Sequence, residues 1–445
     1  MRLKLGAGHE LLIRGPGTVR TVSGSAFCLG MPLKIGEPFV VRAGRTKIVE
    51  ASDESEFDLT MGQTGKVDEV ETSTIPPEWT DFVKKVLEKD HGNPRIMVLG
   101  GLDTGKNTLI TYATNLLIQD GMKVILMDAD MGQCEIGPPT TMSVAMITEP
   151  ISELLEMDPD SVFFVGSTSP MHSVGRVLDG AGKLMGFLNK SAEDATLFVN
   201  MPGWISGPAA GYFVQQMISR TGVTRLAVLQ REDEAQSVLE GLPSKIEVTK
   251  LPVSSYALPR SKEERKFLRE TSYRKYLSRS ILTIARWEDI DFSPLFLSRG
   301  KKASPQAIRK VGDAVRSRVL YCEEGKDFIN AIVTDYADAT TEVVGEEDQL
   351  EASAHLSTEV TSTQKQKEIR VISSRELEYL MVALHGRGKP MVFLGVLKRL
   401  DFRGRRATIV TPVEIRDIDT LEVGRVRVSP QGYELGYAEI HRTLS

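Results

Sequence analysis

An apolar strand that empties into a glycine-rich loop and then into a helix constrains this chain more than any other feature. In residues 94–108, PRIMVLGGLDTGKNT, the run Ile96, Met97, Val98 and Leu99 reads as a strand buried on both faces. Gly100, Gly101, Leu102, Asp103, Thr104, Gly105 and Lys106 then spell G-x-x-x-x-G-K, and Thr108, Leu109 and Ile110 open a helix. The glycines let backbone N–H groups curl around phosphate oxygens, and the helix N-terminus adds partial positive charge. Lys106 is placed to reach the β- and γ-phosphates of a nucleoside triphosphate. Asn107 occupies the position where a Ser or Thr hydroxyl usually meets Mg²⁺. Its amide oxygen, Thr108 or a water could take that place.

At 445 residues the chain exceeds what one core supports, so two or three domains are expected. The N-terminal residues MRLKLGAGHELLIRG lack the apolar centre of a secretory signal, and no apolar run approaches membrane-spanning length. Cys28, Cys134 and Cys322 are scattered without metal-ligand spacing, which favours a reducing, cytoplasmic setting and no membrane. The formal net charge of −5 means that contact with nucleic acid must rely on local basic patches.

Residues 1–75 alternate short apolar runs with Gly and Pro, as a small β-rich domain does. A linker helix is expected within 76–94, after the paired prolines and ending at His91 and Gly92. Over 95–286, RIMVLG, KVILMDAD, SVFFVGS, ATLFVNMP, RLAVLQ and IEVTKLPV alternate with helical stretches. That pattern predicts an α/β P-loop NTPase core, a parallel sheet flanked by helices, with ligands at the carboxyl ends of its strands. Residues 287–445 read as a β-rich C-terminal domain, with a mobile loop expected at 337–368, a stretch without aromatics and rich in Glu, Ser and Thr.

Several motifs fall at those strand ends. KVILMDADMGQ sets Asp128, Asp130 and Gln133 beyond a buried strand. A carboxylate there can hold Mg²⁺ or accept a proton from an attacking hydroxyl, or one of the pair can simply cap the loop. The prolines of IGPPTTMS stiffen a turn. Ser169 lies in VGSTSP, and Gly203 and Trp204 in FVNMPGWISG. Trp204 either walls the site or fills the core. Residues 260–279, RSKEERKFLRETSYRKYLSR, carry eight basic residues against three glutamates, as an arginine lid over phosphates or as a solvated helix face. Near the C-terminus, Lys398, Arg399, Arg403, Arg405, Arg406, Arg416, Arg425 and Arg427 either track a phosphate backbone or form a solvated β-surface.

Taken in order and spacing, these motifs resemble the polynucleotide 5′-hydroxyl kinase family, which includes the RNA kinase subunit of pre-mRNA cleavage complexes and its nucleolar and archaeal relatives. The I-G-P-P turn is most similar to archaeal members. The resemblance implies ATP and Mg²⁺ as cofactors and transfer of the γ-phosphate to the 5′-OH of RNA, with DNA as a second acceptor. It implies that Lys106 contacts the triphosphate and that Asp130 and Gln133 lie at the acceptor hydroxyl. Arg269 and Arg274 would be the lid arginines, and Ser169, Gly203 and Trp204 would contact substrate. Asn107 and Asp128 would face the metal. Two departures stand out: Asn107 replaces a hydroxyl, and Met201 stands where family members often carry Thr. The competing reading is a catalytically weak, ATP-bound scaffold subunit of an RNA-processing complex, with protein partners there.

Overall fold

The computed structural model describes the chain apart from residues 89–93, 192–193, 294–299, 335–341, 344–366, 388–391, 403, 440 and 445. His91, Arg403 and nearly all of the 337–368 segment lie outside the described residues. The chain forms two units. The first comprises Met1–Gly137, Met142–Ser161 and Leu178–Leu268; the second comprises Pro138–Thr141, Val162–Val177 and Arg269–Ser445.

The first unit begins with two antiparallel sheets. One orders Arg2–Leu5, Ser55–Met61, Gly17–Ser23 and Pro38–Val41; the other orders Met31–Leu33, Ala26–Cys28, Thr46–Ala51, Glu10–Arg14 and Lys66–Val70. Alternation organises most of this pairing: inward-pointing Leu11, Ile13, Val19, Val49, Phe57 and Leu59 form one core, while in Glu10–Arg14 the other face, with Leu12, is buried as well. The helix Pro77–Leu87 follows, with proline in its first turn and Trp79, Phe82, Val83 and Val86 buried. The Trp79 indole N–H donates to the Pro252 carbonyl at 2.8 Å, which fastens the helix to the last strand of the adjoining sheet.

That sheet is ordered Thr141–Ile147, Val124–Asp128, Thr196–Asn200, Arg95–Gly100, Arg225–Gln230 and Glu247–Pro252 within this unit. All but the first of these strands run parallel, and the Val/Ile/Leu runs are buried except in the edge strand Glu247–Pro252, where Val248 is exposed. The antiparallel strand, Thr141–Ile147, lies in a stretch that reads as a turn in the sequence because of Pro138 and Pro139. Twelve residues separate it from Asp128 without a helix to carry a crossover, so the chain returns antiparallel instead. Register places Val98 and Asp128 on either side of Asn200, so three strand ends meet at one edge. The P-loop helix, Lys106–Gln119, starts there after Gly105, whose φ of 91° is left-handed.

The second unit is β-rich. Its larger sheet orders Ile281–Arg286, Arg406–Thr411, Val392–Asp401, Leu380–Gly386 and Ile418–Val428 around Val382, Leu384, Leu397, Ile409 and Leu421. A smaller sheet includes the parallel strands Phe328–Val333 and Glu368–Ser373. The helix Pro305–Val315 is capped by Ser304, whose hydroxyl accepts from the Ala307 N–H. Among the described residues, no helix is long and apolar enough to cross a membrane.

Candidate phosphate-loop site

The loop that carries G-x-x-x-x-G-K is held open by its own backbone. Asp103 has a φ of 55° and Gly105 one of 91°, so successive N–H groups turn toward a common concavity. Lys106 is buried, and its ammonium donates to the Gly100 and Gly101 carbonyls at 2.9 and 2.8 Å. Burial pulls its pKa down, against the pull of Asp130, Asp103 and Asp128 upward.

Asp128 ends its strand with no exposure to solvent. Its Oδ2 accepts from the Glu135 N–H at 2.7 Å, and its Oδ1 from the Asp130 N–H at 3.2 Å and Asn200 Nδ2 at 3.0 Å. Burial and the neighbouring Asp130 push its pKa up to about 7 despite these donors. Asp130 is also raised by burial, with Lys106 opposing. Its Oδ1 caps the loop by accepting from the Gly132 and Gln133 N–H groups, both at 3.1 Å. Both carboxylates therefore cap the loop, Asp128 with both oxygens and Asp130 with one, and the second Asp130 oxygen has no hydrogen-bond donor among the described residues. Gln133 turns its amide back onto the Gly132 carbonyl at 3.0 Å.

Asn200 is the residue that sequence reasoning missed. Its Nδ2 donates to both Asn107 Oδ1 and Asp128 Oδ1 at 3.0 Å, so one amide brings the Walker-position asparagine and the strand-end aspartate together. The Oδ1 of the same amide is buried without a hydrogen-bond partner. Hard oxygens from Asn107, Asp128 and Asn200 thus gather beside the phosphate loop, and this donor chemistry suits Mg²⁺. Among the described residues no group of three His, Cys, Asp or Glu could hold a metal ion. The available signal was the register: Asn200 ends the strand beside Asp128.

Residues 201–205 lie against the phosphate loop. A Cβ on Gly203 would fall 2.6 Å from a methyl of the exposed Leu102 side chain and 3.0 Å from the Leu102 backbone nitrogen, so a larger residue there would displace Leu102. Trp204 stacks on Phe213 with ring centroids 5.7 Å apart and planes 23° from parallel, which leaves its ring half-buried. Ser169 lies in the second unit, where its N–H donates to the Ser167 hydroxyl.

The basic helix is Lys262–Leu277. Arg265, one of its first residues, donates from Nη1 to Asp103 Oδ2 at 2.9 Å, and the Arg260 N–H donates to the same oxygen at 2.9 Å. These are the arginines that meet the phosphate loop. Arg269 and Arg274 engage elsewhere. Arg269 makes a two-pronged pair with Glu434 at 2.7 and 2.9 Å, and Arg274 lies 4.9 Å from the Tyr433 ring centroid and 3.5 Å from Glu270. Both contacts fall within the second unit.

Beside the loop opens a cleft of about 800 Å³, lined by Gly105 and Thr108 of the loop and by Leu12, Arg45, Lys47, Trp79 and Tyr256. Apolar walls with a few cations, contiguous with a phosphate cradle, suit a nucleoside.

Residues 100–279 match the family model described as the mRNA cleavage and polyadenylation factor CLP1 P-loop. Over those residues the chain is similar to that P-loop family. The polyribonucleotide 5′-hydroxyl-kinase of Methanocaldococcus jannaschii is 28% identical over 82% of this chain and 95% of its own length. That of Pyrococcus furiosus is 27% identical over 82% and 96%. The zebrafish polyribonucleotide 5′-hydroxyl-kinase Clp1 is 29% identical over 44% of this chain and 46% of its own. The solved Clp1p of a Clp1p–Pcf11p complex superposes with a TM-score of 0.65 at 13% identity, covering 96% of this chain and 97% of that one. The CLP1-type fold, a P-loop core with β-rich N- and C-terminal regions, therefore extends over nearly the whole chain.

Proposed function

We propose that this chain is an ATP-dependent polyribonucleotide 5′-hydroxyl kinase. The relatives matched over most of its length carry that name. The observation that carries the reading for these residues is the convergence of Lys106, Asp128 and Asp130 on a phosphate loop to which Arg260 and Arg265 are fastened through Asp103. Arginines at a phosphate loop serve hydrolysis as well as transfer, and it is the name of those relatives that favours transfer to a polynucleotide 5′-hydroxyl.

In this reading the nucleoside fills the cleft beside Trp79 and the loop N–H groups cradle the phosphates. Lys106 leaves its two carbonyls for the terminal phosphates. Asp130 turns its free oxygen to the 5′-OH, orients it and accepts its proton. Arg265 and Arg260 balance the charge that spreads over the transferring group. Arg269 and Arg274 could share that role only by leaving Glu434 and Tyr433. Gln133, Gly203 and Trp204 of the first unit would line the acceptor side, and Ser169 is a substrate contact only by the family resemblance. Mg²⁺, held by Asp128 and Asn107, would supply charge neutralisation at the phosphates. RNA is the favoured acceptor and DNA the second. Three free, buried cysteines accord with a cytoplasmic setting.

Label transfer from γ-labelled ATP to 5′-OH RNA tests the proposal. The wild type is expected to label RNA, and Asp130→Asn is expected to bind ATP while losing nearly all transfer. Nucleotide binding without transfer by the wild type would instead favour the scaffold reading, for which Asn107 is the motivating residue.

A further inference from the structure

A buried ion pair fastens the acidic loop to the N-terminal β-rich region, and the reaction outlined above leaves it without a role. Glu135 follows Gln133 by two positions and is almost fully buried. Arg45 Nη1 donates to its Oε1 at 2.6 Å. The backbone N–H of the same glutamate donates to Asp128 Oδ2, and Asp128 Oδ1 accepts from the Asp130 N–H. Four residues thus link in series from Arg45 to the proposed base. Burial pushes the Glu135 carboxyl up, but Arg45, helped by Arg260 and Lys47, outweighs it and holds the group below its ordinary value. The pair is therefore charged, and both partners are shielded from water.

The arginine end is rigid. The Arg45 carbonyl accepts from the Gly15 N–H at 2.9 Å, and a Cβ on Gly15 would fall 2.1 Å from the Arg42 carbonyl oxygen. Beside it, Lys47 donates to the Ser152 carbonyl at 2.5 Å and pairs with Glu153 at 3.3 Å, and Arg42 also pairs with Glu153. Arg45 and Lys47 line the nucleoside cleft as well. One side chain therefore faces the cleft contents and grips the acidic loop.

We propose that Arg45 and Glu135 are positioning residues that couple filling of the nucleoside cleft to the placement of Asp128 and Asp130. The N-terminal region then sets turnover as well as nucleotide affinity. This rests on the kinase reading for the meaning of turnover, but the coupling itself is a property of the loop. Removing the Arg45 guanidinium leaves Glu135 as a buried, unpaired carboxylate, which must move toward water and draw its N–H away from Asp128. Glu135→Gln keeps the shape and removes the charge.

Cys134 reports on the loop independently of activity. It immediately precedes Glu135, its thiol is buried, and its sulfur accepts from the Gly137 N–H at 3.3 Å. The test uses the full-length chain and compares wild type, Arg45→Met, Arg45→Lys and Glu135→Gln. Alkylation of Cys134 by iodoacetamide is followed by mass spectrometry with and without ATP, alongside kcat and KM for ATP. Arg45→Met and Glu135→Gln are expected to alkylate about tenfold faster, as a loosened loop opens more often. Their kcat should fall by about 10–100-fold, as for other residues that orient a catalytic group, with a smaller change in KM. ATP should slow Cys134 alkylation in the wild type and lose that effect in Arg45→Met. Arg45→Lys should recover part of both readouts, which keeps the test valid if Arg45→Met fails to fold. Alkylation and kcat within twofold of wild type in Glu135→Gln would overturn the proposal, as would a Lys variant no better than Met. A wild type whose Cys134 is protected by ATP but which labels no RNA would sink the kinase reading and leave the coupling standing.

Discussion

Arg265 donates to Asp103 at 2.9 Å across 162 residues of sequence, so the basic helix is fastened to the phosphate loop at its beginning. The Arg260 N–H shares the same acceptor oxygen. Charge on that helix is therefore not uniform in its use: the first arginines lie on the loop and the later ones are spent on Glu434 and Tyr433.

Arg265→Ala is expected to reduce kcat for label transfer by about 10³-fold, the scale for an arginine that stabilises a transferring phosphoryl group. ATP affinity should change far less. Arg274→Ala, which loses an exposed ring contact and a weak pair with Glu270, should stay within a few-fold of wild type. Single-turnover rates on both variants decide between the two ends of the helix.

Arg269→Ala should destabilise the protein by about 3 kcal/mol, because it strands Glu434 in a largely buried position. Transfer per folded molecule should be kept. Denaturant midpoints with activity measured below the transition check this, and a folded but inactive variant would return Arg269 to the lid role.

Asp128 gives the protein a pH dependence of defined sign. Its folded pKa of about 7 lies above the ordinary aspartate value of 3.8, so the folded chain binds the proton more tightly than the unfolded chain does. Its contribution to stability is full at low pH and is lost as pH rises from about 4 through about 7. Mg²⁺, which favours the ionised form, should raise the melting temperature more at pH 8 than at pH 5.5. Chelation should remove that gain, and Asp128→Asn should abolish it. Thermal melts with and without MgCl₂ at both pH values provide the measurement.

Gly105→Ala should cost at least about 1 kcal/mol, because a side chain is forced into left-handed backbone. The added Cβ would also sit 3.1 Å from the Trp79 ring. ATP binding, followed by calorimetry, should weaken with it.

Much of the fold was legible locally. The strand, the glycine loop and the Asp128–Gln133 motif are contiguous, and their chemistry follows from backbone geometry within a few residues. Asn200 was not legible in that way. Its importance comes from lying in register with Asp128 across a parallel pair, and nothing near it in sequence specifies that pairing. The antiparallel strand Thr141–Ile147 follows the turn that Pro138 and Pro139 make, and nothing near it in sequence specifies that it returns beside Val124–Asp128.

The sequence by itself determined that a phosphate-cradling loop follows a buried strand, that acidic residues end the next strand, and that a cationic helix comes later. These features depend on periodicity and on glycine, which act over a few residues. Tertiary structure alone decided which cations serve the loop. Arg265 and Arg269 are one turn apart with the same chemistry, yet one meets Asp103 and the other Glu434, because a side chain's partner is set by what folds against it. The same holds for Arg45 and Glu135, whose pairing exists only once the N-terminal strands and the acidic loop share a buried boundary.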